Sequence, residues 1–197
     1  TMYVTFYNAP VANAGVNDSI CGFEYPLHAY YSIPASGGYG PTGWWTYLDG
    51  PVTQGVNIFN QNSPQTNVTV PTEGIYRFVW RESNSELPSC YTTDTVEIKF
   101  IEIPVIDAGD DFNVCGQCTS LNCVSAGYYG TWQPMPGITW GDVNSPTTTI
   151  CSSLYGAREF IWQETNGMCF GRDTVVVTFW RRPTAEILTD AADSTQC

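Results

Sequence analysis

The pattern Thr-x-x-x-[Thr/Lys]-Phe-x-x-x-Pro occurs three times in this chain: at Thr1, Phe6 and Pro10, at Thr95, Phe100 and Pro104, and at Thr174, Phe179 and Pro183. A motif that closes on proline and then restarts marks the junctions of a tandem array rather than one domain. Four segments are expected: residues 1–9 as the last strand of a preceding repeat, 10–103 and 104–182 as two whole repeats, and 183–197 as the start of a following one. The two spacings, 94 residues from Pro10 to Pro104 and 79 from Pro104 to Pro183, leave each repeat room for a core of its own.

The repeats align along their whole length. Pro10-Val11 through Gly15 to Cys21 matches Pro104-Val105 through Gly109 to Cys115. Gly43-Trp44-Trp45 matches Gly130-Thr131-Trp132, and Asn62-Ser63-Pro64 matches Asn144-Ser145-Pro146. Gly74 to Trp80 matches Gly156 to Trp162, with Arg158 where the first repeat has Tyr76. Cys90-Tyr91 and Asp94-Thr95-Val96 match Cys169-Phe170 and Asp173-Thr174-Val175. The first repeat carries its extra length in Gly/Tyr/Pro-rich sequence such as residues 36–41, a loop composition.

Apolar residues recur with a period of two. Val96, Ile98 and Phe100 alternate with Thr95, Glu97 and Lys99, and Tyr76, Phe78 and Trp80 share one face. Such alternation marks half-buried β-strands, and no window shows an amphipathic helix. Short strands punctuated by Gly, Pro, Asn and Ser predict an all-β chain of β-sandwiches. Trp45 and Trp80, and their matches Trp132 and Trp162, are expected to fill the space between sheets. The unmatched aromatics Trp44, Tyr39, Tyr47, Tyr128 and Tyr129 are the candidates for stacking on a ligand.

The net charge is −12, with only seven basic residues. That excludes nucleic acid as a partner, since phosphate binding needs clustered cations. No stretch reaches the length of a transmembrane helix, so no direct membrane insertion is expected of this segment. Eight cysteines in an acidic, strand-rich chain point to disulfides in an oxidising compartment. Cys115, Cys118 and Cys123 are closely spaced, but the only histidine, His28, lies in the other repeat, which argues against zinc. The economical assignment pairs Cys21 with Cys90 and Cys115 with Cys169, one bridge inside each repeat. Ile150 should point inward, so Cys151 points outward. Cys118–Cys151 is then the preferred third bridge, leaving Cys123 free, with Cys123–Cys151 as the alternative.

These motifs, in this order, resemble the Ig-like or PKD-like repeats of very large cell-surface proteins of Bacteroidota, the SprB-type gliding-motility adhesins among them. The resemblance implies tandem immunoglobulin-like sandwiches exported by type IX secretion and displayed at the outer membrane. There they would serve surface adhesion or gliding, with polysaccharide and the secretion or motility machinery as partners beside the neighbouring repeats. It also implies O-glycosylation at Asp-Ser/Thr sites, matched here by Ser19, Thr95, Thr174 and Ser194.

No catalytic constellation is present. His28 stands alone, no Gly-rich phosphate loop precedes a helix, and the neighbouring Asp110 and Asp111 would point to opposite faces of a strand. With Asp107 they read as a solvated acidic edge, without the loop spacing of a calcium site. No enzyme activity, metal or cofactor is expected. Only three residues separate each motif phenylalanine from its proline, too few for a flexible linker, so the repeats are expected to form a semi-rigid rod. Two alternatives stay open: spacer or carbohydrate-binding modules of a secreted hydrolase, and segments of an extracellular filament.

Overall fold

A computed structural model describes residues 1–4, 9–32 and 41–184. The described residues contain fourteen strands and no helix. By contacts the chain divides into two units: unit 1 is Thr1–Ile103 with Asn166–Phe170, and unit 2 is Pro104–Thr165 with Gly171–Cys197.

Unit 1 holds seven strands: β1 (Asp18–Cys21), β2 (Glu24–His28), β3 (Thr42–Asp49), β4 (Asn57–Ile58), β5 (Gln65–Thr69), β6 (Gly74–Ser83) and β7 (Tyr91–Ile101). They form a four-stranded sheet in the order β1-β7-β6-β3 and a three-stranded sheet in the order β2-β5-β4. β1 runs parallel to β7, with Asp18 opposite Ile98 and Cys21 opposite Ile101. The other pairings are antiparallel.

Unit 2 repeats the design with β8 (Phe112–Cys115), β9 (Cys118–Asn122), β10 (Tyr129–Trp132), β11 (Ile138–Trp140), β12 (Thr147–Ser152), β13 (Gly156–Asn166) and β14 (Cys169–Trp180). Its sheets have the orders β10-β13-β14-β8 and β11-β12-β9. Strand for strand this is the topology of unit 1, including the parallel pairing of the first strand with the last. A sandwich whose central strands are hairpin neighbours and whose other sheet joins the second, fourth and fifth strands is immunoglobulin-like.

The alternating residues form the cores. Tyr76, Phe78, Trp80, Val96, Ile98 and Phe100 are buried with Leu27, Trp45 and Val68. Phe160, Trp162, Val175, Val177 and Phe179 are buried with Leu121, Trp132 and Ile150. Trp45 meets Trp80 at 5.2 Å between ring centroids, and Trp132 meets Trp162 at 5.3 Å. The Tyr76 hydroxyl donates to the Thr72 carbonyl at 3.1 Å, the corner by which immunoglobulin-like folds fix the start of this strand. Phe78, two residues on, occupies the position where many such domains place an inter-sheet cysteine, and the tryptophan pair fills the core beside it. Arg158 forgoes the corner in unit 2, yet its strand order is unchanged.

The Gly-x-Trp motif has a packing reason. A Cβ on Gly43 would overlap the ring of Trp80, and one on Gly130 the ring of Trp162. Gly43→Ala and Gly130→Ala are each expected to cost about 1–3 kcal/mol through overpacking. Urea unfolding followed by circular dichroism checks this, and an unchanged midpoint would count against it.

The expected closing strand over 1–9 is not found at residues 1–4, which pair with nothing in the sheets; a strand needs a hydrogen-bonded neighbour to persist. Phe6 lies outside the described residues, as do 185–197.

Candidate functional site

Each unit fixes its opening segment with the same hydrogen bonds. Asp94 Oδ2 accepts the Ala14 N–H and Asp173 Oδ2 accepts the Ala108 N–H, both at 2.8 Å. Asn17 Oδ1 accepts the Glu97 N–H and Asp111 Oδ1 the Val176 N–H, again at 2.8 Å. Asn13 and Asp107 each cap the glycine two residues on at 2.9 Å. Asp94, Asp107, Asp111 and Asp173 are therefore each engaged by a backbone donor. Among the described residues no three His, Cys, Asp or Glu side chains cluster as a metal set.

A second recurring device was not read from the sequence. Glu82 and Glu164 are fully buried. Glu82 accepts the Ser32 N–H at 2.9 Å and the Ser32 hydroxyl at 3.0 Å. Glu164 accepts the N–H groups of Ala126 at 3.1 Å and Tyr128 at 3.3 Å, and the Trp162 indole N–H at 2.8 Å. Each carboxylate holds the segment between the second and third strands of its unit. The signal was present as Trp-x-Glu at Trp80-Arg81-Glu82 and Trp162-Gln163-Glu164.

The described stacking candidates have different surroundings. Tyr47 is half-buried against Tyr76 and Phe78, and its hydroxyl donates to the Val52 carbonyl at 2.8 Å. It belongs to the core margin, the sixth residue of β3 with its ring turned inward. Trp44 lies under its own partner: the Arg81 guanidinium sits 4.3 Å from the Trp44 ring and 3.6 Å from the Tyr91 ring. A face covered by an internal cation–π contact is not free for a sugar. Tyr128 is half-buried, while Tyr129 is 72% exposed on the edge strand β10. Tyr39 lies outside the described residues.

Among the glycosylation candidates, Thr95 is exposed on β7, while Ser19 on β1 and Thr174 on β14 are half-buried. Asp18 is already engaged, accepting the Ser19 N–H at 2.7 Å and the Tyr25 hydroxyl at 3.0 Å. Ser194 lies outside the described residues.

The cysteines depart from the expected scheme. Cys118 and Cys151 stand opposite each other on β9 and β12 and are bridged. Cys21, however, is bridged to Cys169 across 148 residues. The pairings Cys21–Cys90 and Cys115–Cys169 are not made, and Cys90, Cys115 and Cys123 are free thiols. The reason is placement. Cys21 ends β1, whereas Cys169 sits at the tip of the β13–β14 hairpin, and residues 166–170 of that tip belong to unit 1. There Asn166 Nδ2 donates to Glu73 Oε2 at 3.1 Å and to the Glu102 carbonyl at 3.0 Å.

Cys123 is buried. Burial, and after it the negative charge of Glu164, pushes its thiol up to about 11, against about 8.5 for a free cysteine. A protonated thiol thus favours the fold: this contribution is fully present below the ordinary thiol range and is lost as pH rises through about 11. At pH 8 iodoacetamide is expected to label exposed Cys115 in the native protein and to reach Cys123 only in denaturant. Labelling of both at equal rates would contradict the burial.

No helix among the described residues is long and apolar enough to cross a membrane. Two disulfides accord with an oxidising, extracellular setting. No family model matches the chain, and no curated protein matches it. Among solved structures, the sidekick-1 immunoglobulin domains 1–4 are similar with a TM-score of 0.43 and 13% identity, over 87% of this chain and 49% of theirs. A mouse cadherin-23 fragment matches with a TM-score of 0.41 and 13% identity, over 88% of this chain and 67% of its own. The PKD domain of the human KIAA0319 protein matches with a TM-score of 0.40 and 19% identity, over 46% of this chain and 80% of its own. The immunoglobulin-like assignment rests on the strand order and register of each unit.

Proposed function

We propose that this chain is a structural and adhesive segment of a large secreted cell-surface protein, a semi-rigid stalk in a tandem array. The observation that carries this reading is the duplication itself. The two units share strand order, tryptophan pair, buried glutamate and backbone caps. What recurs is the architecture that holds a sandwich together, and this suits reach and repetition rather than turnover. The resemblance to SprB-type repeats supports display at the outer membrane in surface adhesion or gliding, with O-glycosylation at Thr95 as the most accessible site among the described residues. Weak contacts along an array would add through multivalency. Small-angle scattering on the purified chain tests the stalk: an elongated particle is expected, and a compact globule would sink the reading. Intact-mass analysis of native material tests the sugar.

The carbohydrate-binding alternative retains one supporting observation, the exposed ring of Tyr129. A glycan array comparing the chain with Tyr129→Ala would favour it through binding that the variant loses.

A further inference from the structure

The two repeats carry cysteines at two equivalent places. One ends the first strand: Cys21 on β1 and Cys115 on β8, opposite Ile101 and Trp180. Each is followed by a left-handed glycine whose N–H donates at 2.8 Å to the carbonyl of that opposite residue. The other stands at the hairpin tip: Cys169, three residues after Asn166, and Cys90, whose carbonyl accepts the Asn84 N–H at 3.0 Å. The bond that forms joins the strand-end cysteine of the first repeat to the hairpin cysteine of the second. Among the described residues, these two places leave one strand-end thiol, Cys115, and one hairpin thiol, Cys90. They are the complementary halves of the same bond.

The surroundings agree. Beside Cys21, Ile101 is only 7% exposed, and its Cδ1 lies 4.0 Å from where a Cβ on Gly167 would stand. The equivalent of Ile101 beside Cys115 is Trp180, which is 60% exposed. It is flanked by exposed Arg181 and Arg182, and the Arg182 Nε donates to the Cys115 carbonyl at 3.1 Å. The hairpin ending at Cys90 offers exposed Leu87 and Glu86, an apolar and an acidic side chain for an aromatic and basic surface.

We propose that Cys115 and Cys90 are sites of a repeat-to-repeat disulfide: Cys115 bonds the hairpin cysteine of a following repeat of this kind, and Cys90 the strand-end cysteine of a preceding one. The array is thereby a covalent ladder, stapled once per repeat. This stands apart from the adhesive reading, since the staples form whether or not the array grips anything. Each bond removes two protons and two electrons from two thiols. A small-molecule disulfide such as oxidised glutathione accepts the electrons: one thiolate attacks it and releases glutathione thiolate, then the second thiolate displaces the remaining glutathione from the mixed disulfide.

The test joins residues 1–182 directly to a second copy of 10–197, so that Arg182 precedes Pro10 as it naturally precedes Pro183. After refolding in a glutathione redox buffer, peptide mass spectrometry is expected to find Cys115 of the first copy bonded to Cys90 of the second. Separate chains, Cys90→Ser mixed with Cys115→Ser, form the second arm. Disulfide-linked heterodimers there would assign the bond between molecules as well, and linkage in the fusion alone would assign it within one polypeptide. Absence of the Cys115–Cys90 peptide in both arms overturns the proposal. So does bonding of Cys90 to Cys21 within one repeat, or a Cys115–Cys115 or Cys90–Cys90 bond that links either variant to itself.

Discussion

Trp80→Ala and Trp162→Ala are each expected to destabilise their own unit by about 3–5 kcal/mol. Both indoles are essentially inaccessible and pack on a second tryptophan from the neighbouring strand. Truncation leaves a void that the sandwich cannot close, because the glycines at 43 and 130 already bring the facing strand against the ring. A small domain holds only about 5–15 kcal/mol in total, so a unit losing this much should melt before the other. Denaturant titration followed by circular dichroism should resolve two transitions where the unaltered chain shows closer ones. A loss below about 1 kcal/mol would mean that the tryptophan pair is not the centre of the core.

Cys21→Ser is expected to have the next largest effect. The bond to Cys169 spans 148 residues, and closing a loop of that length restricts the unfolded chain by about 5 kcal/mol in the chain-entropy treatment, with measured values commonly lower. The informative comparison is Cys90→Ser. With the bonding found here, Cys90→Ser should leave thermal stability in non-reducing buffer within about 0.5 kcal/mol, as surface substitutions do. Pairing of Cys21 with Cys90 would instead make the two variants equally destabilised. Thermal melts of both, with and without reductant, separate these outcomes.

The strands could be read because their information is local. Val96, Ile98 and Phe100 alternate in the sequence as they alternate across β7, and a second copy of each signature averaged out chance. The tryptophan cores followed for the same reason. Tyr47 and Trp44 could not be placed that way, because neither has a counterpart in the other repeat. Their surroundings, Val52 for one and Arg81 for the other, come from segments whose approach no spacing encodes. The buried glutamates lie between these cases. Trp-x-Glu recurs visibly, but a charged residue in a strand reads as solvent-facing until its backbone donors are seen.

By itself the sequence determined the repeat, the all-β class and the tryptophan cores, since each depends on period or phase within one sandwich; it favoured Cys118–Cys151 over Cys123–Cys151 by phase, and the register of β9 against β12 made that bridge. Only the tertiary structure decided which cysteine Cys21 finds. Equivalent positions in two repeats carry identical local signals, so pairing within a repeat and pairing with the next look the same along the chain. The choice is made by where the tip at 166–170 comes to rest, and a disulfide forms only where two Cα atoms approach closely, here 5.6 Å.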